Sequence, residues 1–191
     1  PAFFSEYPFL KKLIEKSVFN YIDSTTIVLN RLDDDWLMLM KHFKIADARS
    51  CELTDIKTCG DPHNGQQQSA ILTFAIDAQT CRIVYKPRSF KTNQAWQNIL
   101  DKVNPWLDNL ECLSPSFIMQ EHYGWEQHLT YETSSKEALP LFYKRMGTLL
   151  CLAYIFRLKD GHLYNLLAHN NFPVLIDLEC LFYPDFSGVL Q

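Results

Sequence analysis

Residues 157–182, RLKDGHLYNLLAHNNFPVLIDLECLF, constrain the fold of this chain more than any other stretch. Asp160, His162 and Asn165 fall within six positions, directly after a long apolar run. A short predicted hairpin follows and brings Asp177 to its far end, where apolar residues flank a carboxylate that is costly to bury without a partner. The segment therefore predicts a site at which three oxygen-bearing side chains converge.

The N-terminal half predicts helices followed by a β-hairpin. Helical periodicity covers residues 6–22 and 32–43, with Ser24 and the acidic run 33–35 as helix-start signals. The β-rich runs ILTFAID and CRIVYKP are separated by three residues, which is hairpin spacing, and Lys86 stands near the end of the second run. This half thus combines a helical approach segment with a strand pair.

The C-terminal half alternates helices with short strand pairs. A helical face begins near residue 91, and Pro105 is expected to end or kink it. Residues 116–132 indicate two strands that turn at Gly124. Residues 136–156 are apolar around most of the helical circumference, which predicts a buried helix. The order of elements indicates an α+β fold.

Composition excludes several classes of protein. A net charge of −4 provides no global attraction to nucleic acid, and the longest apolar run, MGTLLCLAYIF, is shorter than the ~20 residues that a membrane span needs. The six cysteines form no CxxC pair, so we expect reduced thiols in a cytoplasmic protein. The chain begins with proline and stops at FSGVLQ, so we expect a fragment of a larger protein.

The spacing of the polar residues points to phosphoryl transfer. Protein kinases use an aspartate followed five residues later by an asparagine, then a second metal-binding aspartate, with a strand lysine upstream. Asp160, Asn165, Asp177 and Lys86 stand in that order and at that spacing. Mg²⁺ prefers oxygen ligands and keeps several of its waters, so one aspartate and one asparagine suffice to hold it.

Each of these residues also has an ordinary structural interpretation. An isolated aspartate in a turn most often accepts hydrogen bonds from nearby backbone N–H groups, and a lysine at a strand end is usually solvated. His162 serves equally well for packing or for proton exchange with Asp160. The joint pattern, rather than any single residue, favours the catalytic interpretation.

Five motifs in sequence order carry a resemblance to a known family. GDPHNG, VYKPRS, YGW, DGHLYN and VLIDLECLF resemble the dehydratase domain of class II lanthipeptide synthetases over roughly residues 45–185. The resemblance implies a two-lobed core like that of lipid or protein kinases, truncated at its C-terminus. We therefore expect a helical N-terminal segment at 1–44 and a partial kinase-like dehydratase domain at 45–191, with the zinc-dependent cyclase domain of the complete enzymes absent.

The same resemblance implies an activity. Such a domain uses ATP and Mg²⁺ to phosphorylate serine and threonine side chains of a precursor peptide that carries a leader sequence. It then eliminates the phosphate to form dehydroalanine or dehydrobutyrine. Two alternatives stay open: a kinase-like phosphotransferase that acts on a small molecule or lipid, and an inactive pseudokinase that binds a peptide.

The resemblance also assigns roles to individual residues. Lys86 and Arg88 are expected to contact the ATP phosphates, and Asn165 and Asp177 to hold the metal. The other expected site residues are the catalytic-loop pair Asp160 and His162, the phosphate- and metal-binding Glu179, and two residues of a loop over the active site, Asp61 and His63.

Three features depart from the family pattern. The chain has Gln66–Gln68 where the family loop continues with a glycine and an arginine, and Tyr164 replaces a glutamate before Asn165. No glutamate in the helix predicted at 91–108 is available to pair with Lys86. The sequence leaves Glu121 and Glu126 as alternative partners for this lysine.

Overall fold

The computed structural model describes residues 2–45, 51–63, 67–77 and 79–184. The chain forms two compact units, each built from two segments. The first unit comprises Pro1–Ser89 and Phe117–Gln127, and the second comprises Phe90–Ser116 and His128–Gln191.

The first unit opens with two helices, α1 (Ala2–Glu6) and α2 (Pro8–Phe43). The sequence signals at Ser24 and at residues 33–35 predicted new helix starts, but α2 runs through both without interruption. The Ser24 hydroxyl donates to the carbonyl of Tyr21, within the preceding turn, instead of capping a new helix. The flanking Thr25, Thr26 and Ile27 are weak helix formers, so the helix continues through the packing of its apolar face rather than through propensity.

The two halves of α2 differ in burial. The N-terminal half exposes apolar side chains such as Phe9 and Phe19, whereas the C-terminal half buries Val28, Leu32 and Leu39 against the sheet of the same unit. The N-terminal segment therefore contributes directly to a core through its last four turns.

A five-stranded antiparallel sheet forms the rest of the first unit. Its strands are β1 (Cys51–His63), β2 (Gln67–Ile76), β3 (Gln79–Lys86), β4 (Phe117–Met119) and β5 (Gly124–Gln127), in the order β1-β2-β3-β5-β4. The predicted β2–β3 hairpin is confirmed, with register from Ala70 opposite Tyr85 to Ile76 opposite Gln79. The sheet continues through β5, which pairs with β3.

Strand alternation gives this sheet a helix-covered face and an opposite face. Along β2, alternate residues from Ala70 to Ile76 are buried and pack with the C-terminal half of α2. The residues between them are only half-buried and lie on the opposite face. Lys86 lies on this second face, because it is one residue beyond the helix-facing Tyr85.

Two local predictions in this unit were wrong. The segment 59–69 was expected to be a loop, but residues up to His63 belong to β1 and Gln67 begins β2. Gly124 was expected at a turn, but it is the first residue of β5, and the connection from β4 spans residues 120–123. In the first place β pairing extends further than composition indicated, and in the second the turn precedes the glycine.

The second unit contains the helices α3 (Lys91–Val103) and α4 (Leu139–Ile155) and a hairpin of β6 (Leu166–His169) and β7 (Phe172–Leu175). The prediction that Pro105 ends the first of these helices is confirmed. The predicted hairpin is also confirmed, with its turn at Asn170 and Asn171.

Helix α4 is not buried around its circumference, contrary to the prediction. Leu149 and Leu152 are buried in a cluster with α3 and β7, while Leu150 and Tyr154 are 68% and 84% exposed. The apolar pattern alone could not distinguish the covered face from the exposed one, because both carry large apolar residues.

Within the described ranges, no helix combines the length and the apolar character that crossing a membrane requires. All six cysteines lie in those ranges, and each is a free thiol in the structure.

Candidate functional site

A buried ion pair lies on the face of the sheet opposite α2. The Lys86 Nζ is 2.8 Å from the Glu126 Oε1, and the two side chains are only 11% and 4% exposed. Two opposite charges held this far from water attract each other strongly, and each offsets part of the cost of burying the other. The pair therefore presents a lysine in a defined position.

The strand register explains how these two residues meet. In the β3–β5 ladder Val84 stands opposite Glu126, and Lys86 stands opposite Gly124. Residues two apart in a strand share a face, so Lys86 is the diagonal neighbour of Glu126. Glycine opposite Lys86 has no side chain to compete for this space. Of the two partners that the sequence left open, Glu126 is the one in contact.

Glu121, the other candidate partner, points elsewhere. Its carboxylate is 87% exposed and lies 3.6 Å from the His122 imidazole, in the connection between β4 and β5. An exposed pair of this kind contributes about 0–1 kcal/mol to stability.

In the second unit, Asp160, His162 and Asn165 form a compact polar cluster. The Asn165 side-chain amide donates to the Asp160 carbonyl at 2.9 Å and to its Oδ2 at 3.1 Å. The His162 Nε2 lies 3.3 Å from the Asp160 Oδ1, and both side chains are 52% exposed. The carboxylate of Asp160 is thus oriented from two sides while it stays open to solvent.

Backbone hydrogen bonds join this loop to the segment after β7. The Ile176 N–H donates to the Asn165 carbonyl at 3.0 Å, and the Lys159 N–H donates to the Cys180 carbonyl at 3.2 Å. Asp177 follows Ile176 directly, so the first of these bonds brings it close to Asn165. Asp160 and Asn165 are thus in direct contact, and Asp177 follows a residue whose backbone is bonded to Asn165.

The thiol of Cys180 reports how close the carboxylates are. Burial raises its pKa, and the negative charges of Asp160, Asp177 and Glu179 raise it further. A thiolate is disfavoured beside existing negative charge. Three carboxylates therefore share one neighbourhood in the second unit.

The donor set at Asn165 and Asp177 fits a hard divalent cation. The Asn165 amide nitrogen bonds to Asp160, which orients the amide oxygen as the ligand atom. Within the described part of the chain, no group of three or more His, Cys, Asp or Glu side chains is arranged to hold a metal. Asn165 and Asp177 could bind Mg²⁺ only with waters and phosphate oxygens completing its shell, which is how proteins usually hold this ion.

Asp177 and Glu179 differ from the expectation in their surroundings. Asp177 is half-buried rather than enclosed, and its Oδ1 accepts the Glu179 backbone N–H at 3.2 Å. Glu179 is exposed. β7 ends at Leu175, so both carboxylates lie in the segment that follows it.

The remaining predicted site residues lie in the first unit. Asp61 and His63 belong to the end of β1, where the register with β2 shifts between Cys59 and His63. Gly60 begins this irregularity with a φ of 74°, a conformation that glycine adopts without strain. Arg88 lies just beyond β3 and is half-buried.

An apolar cavity borders the polar cluster of the second unit. It has a volume of about 430 Å³ and is lined by His162 and Lys159 on one side and by residues of α4, including Leu150 and Tyr154, on the other. The exposed Tyr164 ring contacts the His162 imidazole edge-on, with centroids 5.9 Å apart. Tyr164, which stands where the resemblance leads us to expect a glutamate, thus packs on His162.

The sequence interpretation missed two charged residues of α2. Asp35 is 6% exposed and accepts hydrogen bonds from Gln120 and Trp125, and Arg31 lies one helical turn before it. Asp35 was interpreted as part of a helix-start signal. The available clue was a charge at a position that continues the buried stripe of Val28, Leu32 and Leu39.

A family model described as "Domain of unknown function (DUF4135)" matches residues 7–190. This chain belongs to the DUF4135 family. The match covers both units of the DUF4135 chain, so the buried ion pair and the polar cluster are parts of the same family domain.

One curated protein resembles this DUF4135 chain over most of its length. The lacticin 481/lactococcin biosynthesis protein LcnDR2 of Lactococcus lactis subsp. lactis is 24% identical over 188 residues, which cover 93% of this chain and 19% of that protein. The chain thus spans about a fifth of the length of the curated relative that it matches.

Proposed function

We propose that this DUF4135 chain carries the ATP-dependent dehydration centre of a lanthipeptide synthetase. The full-length gene product would phosphorylate serine and threonine residues of a precursor peptide, which it recognises by a leader sequence, and would then eliminate the phosphate. The similarity to a lacticin 481 biosynthesis protein supports the pathway. The two clusters of polar residues support the chemistry.

One observation carries the proposal: the assembly of Asp160, Asn165 and Asp177. Asn165 donates to the Asp160 carboxylate, and its carbonyl binds the backbone next to Asp177. An aspartate base, a metal-binding asparagine and a second metal-binding aspartate are the parts that kinases use to orient a hydroxyl beside a phosphate.

In this proposal Asp160 acts as the general base. Its carboxylate accepts the hydroxyl proton as the serine or threonine oxygen forms a bond to the γ-phosphorus, and the bond from that phosphorus to the bridging oxygen breaks to release ADP. His162, 3.3 Å from the Asp160 Oδ1, orients the carboxylate and can carry the proton to solvent. Both side chains are exposed enough for a peptide to reach them.

Lys86 supplies positive charge to the phosphates of ATP. It lies on the third strand and pairs with a carboxylate, as the corresponding lysine of protein kinases does, although here the carboxylate comes from β5 rather than from a helix. The pair keeps the ammonium group in place before the nucleotide binds, so little reorganisation is needed on binding. This arrangement supports a kinase-like two-lobed core for the complete domain.

Mg²⁺ would be held by Asn165 and Asp177, and when bound it would neutralise phosphate charge. Glu179 extends the same acidic neighbourhood, as the pKa of Cys180 indicates.

Elimination requires a base to remove the α-proton of the phosphorylated residue while the Cβ–O bond breaks and phosphate leaves. We assign Asp61 and His63 to assist this step or the preceding phosphorylation, with Arg88 as a cation for the departing phosphate. Phosphate is a much better leaving group than hydroxide when cations stabilise its charge, which is why phosphorylation comes first.

The test is mass spectrometry of the precursor peptide after incubation with the full-length gene product, ATP and Mg²⁺. The expected products are a peptide that has gained one phosphoryl group and then a peptide that has lost one water. Asp160→Asn should abolish both, and the matched control Asp101→Asn, an exposed carboxylate on α3, should retain both. Peptide binding without any modification would instead favour the pseudokinase alternative, and phosphorylation of small molecules alone would favour the other phosphotransferase.

A further inference from the structure

The buried carboxylate of Asp35 binds the hairpin that carries Glu126. The Gln120 Nε2 donates to the Asp35 Oδ1 at 2.6 Å, and the Trp125 Nε1 donates to its Oδ2 at 2.7 Å. The Tyr123 hydroxyl also bonds to this carboxylate. Burial and this bond raise the pKa of Tyr123 to about 12. One side chain of α2 thus holds three side chains of the β4–β5 hairpin.

Arg31 binds the neighbouring strand from the same helix face. It lies four residues before Asp35, and its guanidinium donates to the Tyr85 hydroxyl. The guanidinium also lies over the Tyr123 ring, 4.1 Å from its centroid. Residues four apart on a helix point in the same direction, so Arg31 and Asp35 contact β3 and β5 together.

Tyr85 and Trp125, the strand residues bound by α2, each stand immediately before one member of the ion pair. Tyr85 and Trp125 are cross-strand partners with ring centroids 5.1 Å apart, and neither is exposed. Lys86 follows Tyr85 and Glu126 follows Trp125, so alternation places the ion pair on the opposite face of the sheet. Hydrogen bonds to α2 on one face therefore anchor the two strands at the position where the charges meet on the other face.

We propose that Arg31, Asp35, Tyr85 and Trp125 form a clamp, here called the α2 clamp, that positions Lys86 and Glu126 for the nucleotide. The catalytic meaning of this clamp rests on the proposed function, whereas its effect on the ion pair does not. Arg31 and Asp35 act through Tyr85 and Trp125 and are positioning residues. Backbone pairing sets the register of β3 and β5, and without the clamp the β4–β5 hairpin packs less firmly on α2, which loosens the geometry of the ion pair.

The decisive comparison uses two tryptophan substitutions. Trp125→Phe removes the indole N–H that bonds to Asp35 and keeps an aromatic ring in the core. Trp96→Phe makes the same chemical change at another fully buried tryptophan, whose Nε1 has no hydrogen-bond partner within the described part of the chain. Comparison of these two variants distinguishes the effect of losing the bond to Asp35 from the effect of losing ring volume.

The readout is the rate at which Lys86 is acetylated in the folded full-length gene product, measured by peptide mass spectrometry. Trp125→Phe and Asp35→Asn should raise this rate at least about fivefold, towards the rate in Glu126→Gln, because a displaced carboxylate no longer shields the amine. Trp96→Phe should stay within about twofold of the unmodified protein. Tyr85→Phe, which removes only a hydroxyl, provides a milder clamp variant, and circular dichroism verifies folding of each.

Enzyme kinetics provide a second readout. Trp125→Phe should lower kcat/KM for ATP by about tenfold, since displacement of a reacting group by about 1 Å can cost up to a hundredfold, while KM for the peptide changes less than about twofold. If the clamp variants are acetylated at Lys86 no faster than Trp96→Phe, the proposal that the clamp positions Lys86 is wrong. Acetylation could be faster in the clamp variants than in Trp96→Phe while neither the unsubstituted protein nor any variant phosphorylates a peptide. That result would support the clamp and overturn the proposed function.

Discussion

The two polar clusters of this protein use opposite ways of holding charge. Lys86 and Glu126 sit on adjacent strands with their side chains almost fully buried, whereas Asp160 and His162 sit on a loop with half of each side chain exposed. A charge pair on regular strands is positioned by backbone register, and a charge pair on a loop is positioned by its own hydrogen bonds. The first cluster therefore contributes to the stability of the fold, whereas the second lies on its surface and contributes little.

This difference has an energetic consequence. Removal of one partner from a buried pair strands the other charge in a poorly solvated place and costs about 3–5 kcal/mol. Removal of one partner from an exposed pair costs about 0–1 kcal/mol, because water replaces the lost interaction. Substitutions in the two clusters should thus be equally harmful to activity and very unequal in their effect on stability.

The largest effect is expected for Lys86→Met. This substitution leaves the Glu126 carboxylate buried without its lysine and should reduce the free energy of unfolding by about 3–5 kcal/mol. Peptide phosphorylation should also fall by about 10²–10³-fold, the usual loss when one charge-stabilising group is removed. Urea unfolding and mass spectrometry of the peptide measure the two effects. A variant with unchanged stability would show that the pair is not held as tightly as its geometry indicates.

Asp160→Asn should affect activity alone. Loss of the general base should lower the phosphorylation rate by about 10²–10⁴-fold. Stability should stay within about 0.5 kcal/mol of the unsubstituted protein, because the side chain is on the surface. Rate and unfolding free energy are measured on the same preparation. A large loss of stability would mean that the loop also supports the fold, which would remove the contrast between the clusters.

Alkaline pH should lower the stability of the first unit through Tyr123, which bonds to Asp35 behind the buried ion pair. The pKa of Tyr123 rises from 10.0 to about 12 in the folded protein because of burial and the Asp35 bond, so folding favours the neutral phenol. Its contribution to stability is complete below about pH 10 and is lost as the pH rises through about 12.

Tyr123→Phe should remove part of this alkaline decline in urea unfolding between pH 9 and about 11.5. Tyr143→Phe, which removes an exposed hydroxyl on α4, is the matched control and should leave the decline unchanged. Identical pH profiles for the two variants would contradict the role of Tyr123.

The smallest effect concerns the interaction of Asp160 with His162. A double-mutant cycle should yield a coupling free energy of about 0.2–1 kcal/mol that decreases as salt is added, because exposed charges are screened. The same cycle for Lys86 and Glu126 should yield a value near the upper end of about 0.5–3 kcal/mol with little salt dependence. Equal couplings, or equal responses to salt, would break the comparison.

Local features of the structure were predictable from the sequence. The β2–β3 and β6–β7 hairpins, the end of α3 before Pro105 and the position of Asp177 after β7 all follow from turn residues and short-range periodicity. The contact of Asp160 with Asn165 and the nearby position of Asp177 follow from the same short-range signals, since a single hairpin connects the three residues.

Features that depend on distant parts of the chain were not predictable. Glu121 and Glu126 are equally close to Lys86 in sequence, and only the β3–β5 register selects Glu126. The unbroken helix α2 and the exposed face of α4 were missed because burial depends on which elements cover a face. Periodicity records that a face is apolar but not what packs on it.

The amino-acid pattern alone therefore specifies the elements, the loop cluster and the family to which the motifs point. Tertiary structure selects the lysine's partner, the buried position of Asp35 and the helix contacts behind the ion pair. The physical reason is the range of the interactions: turn geometry and side-chain alternation act over a few residues, whereas strand register and burial are decided by groups that are far apart in the chain and meet only when it folds.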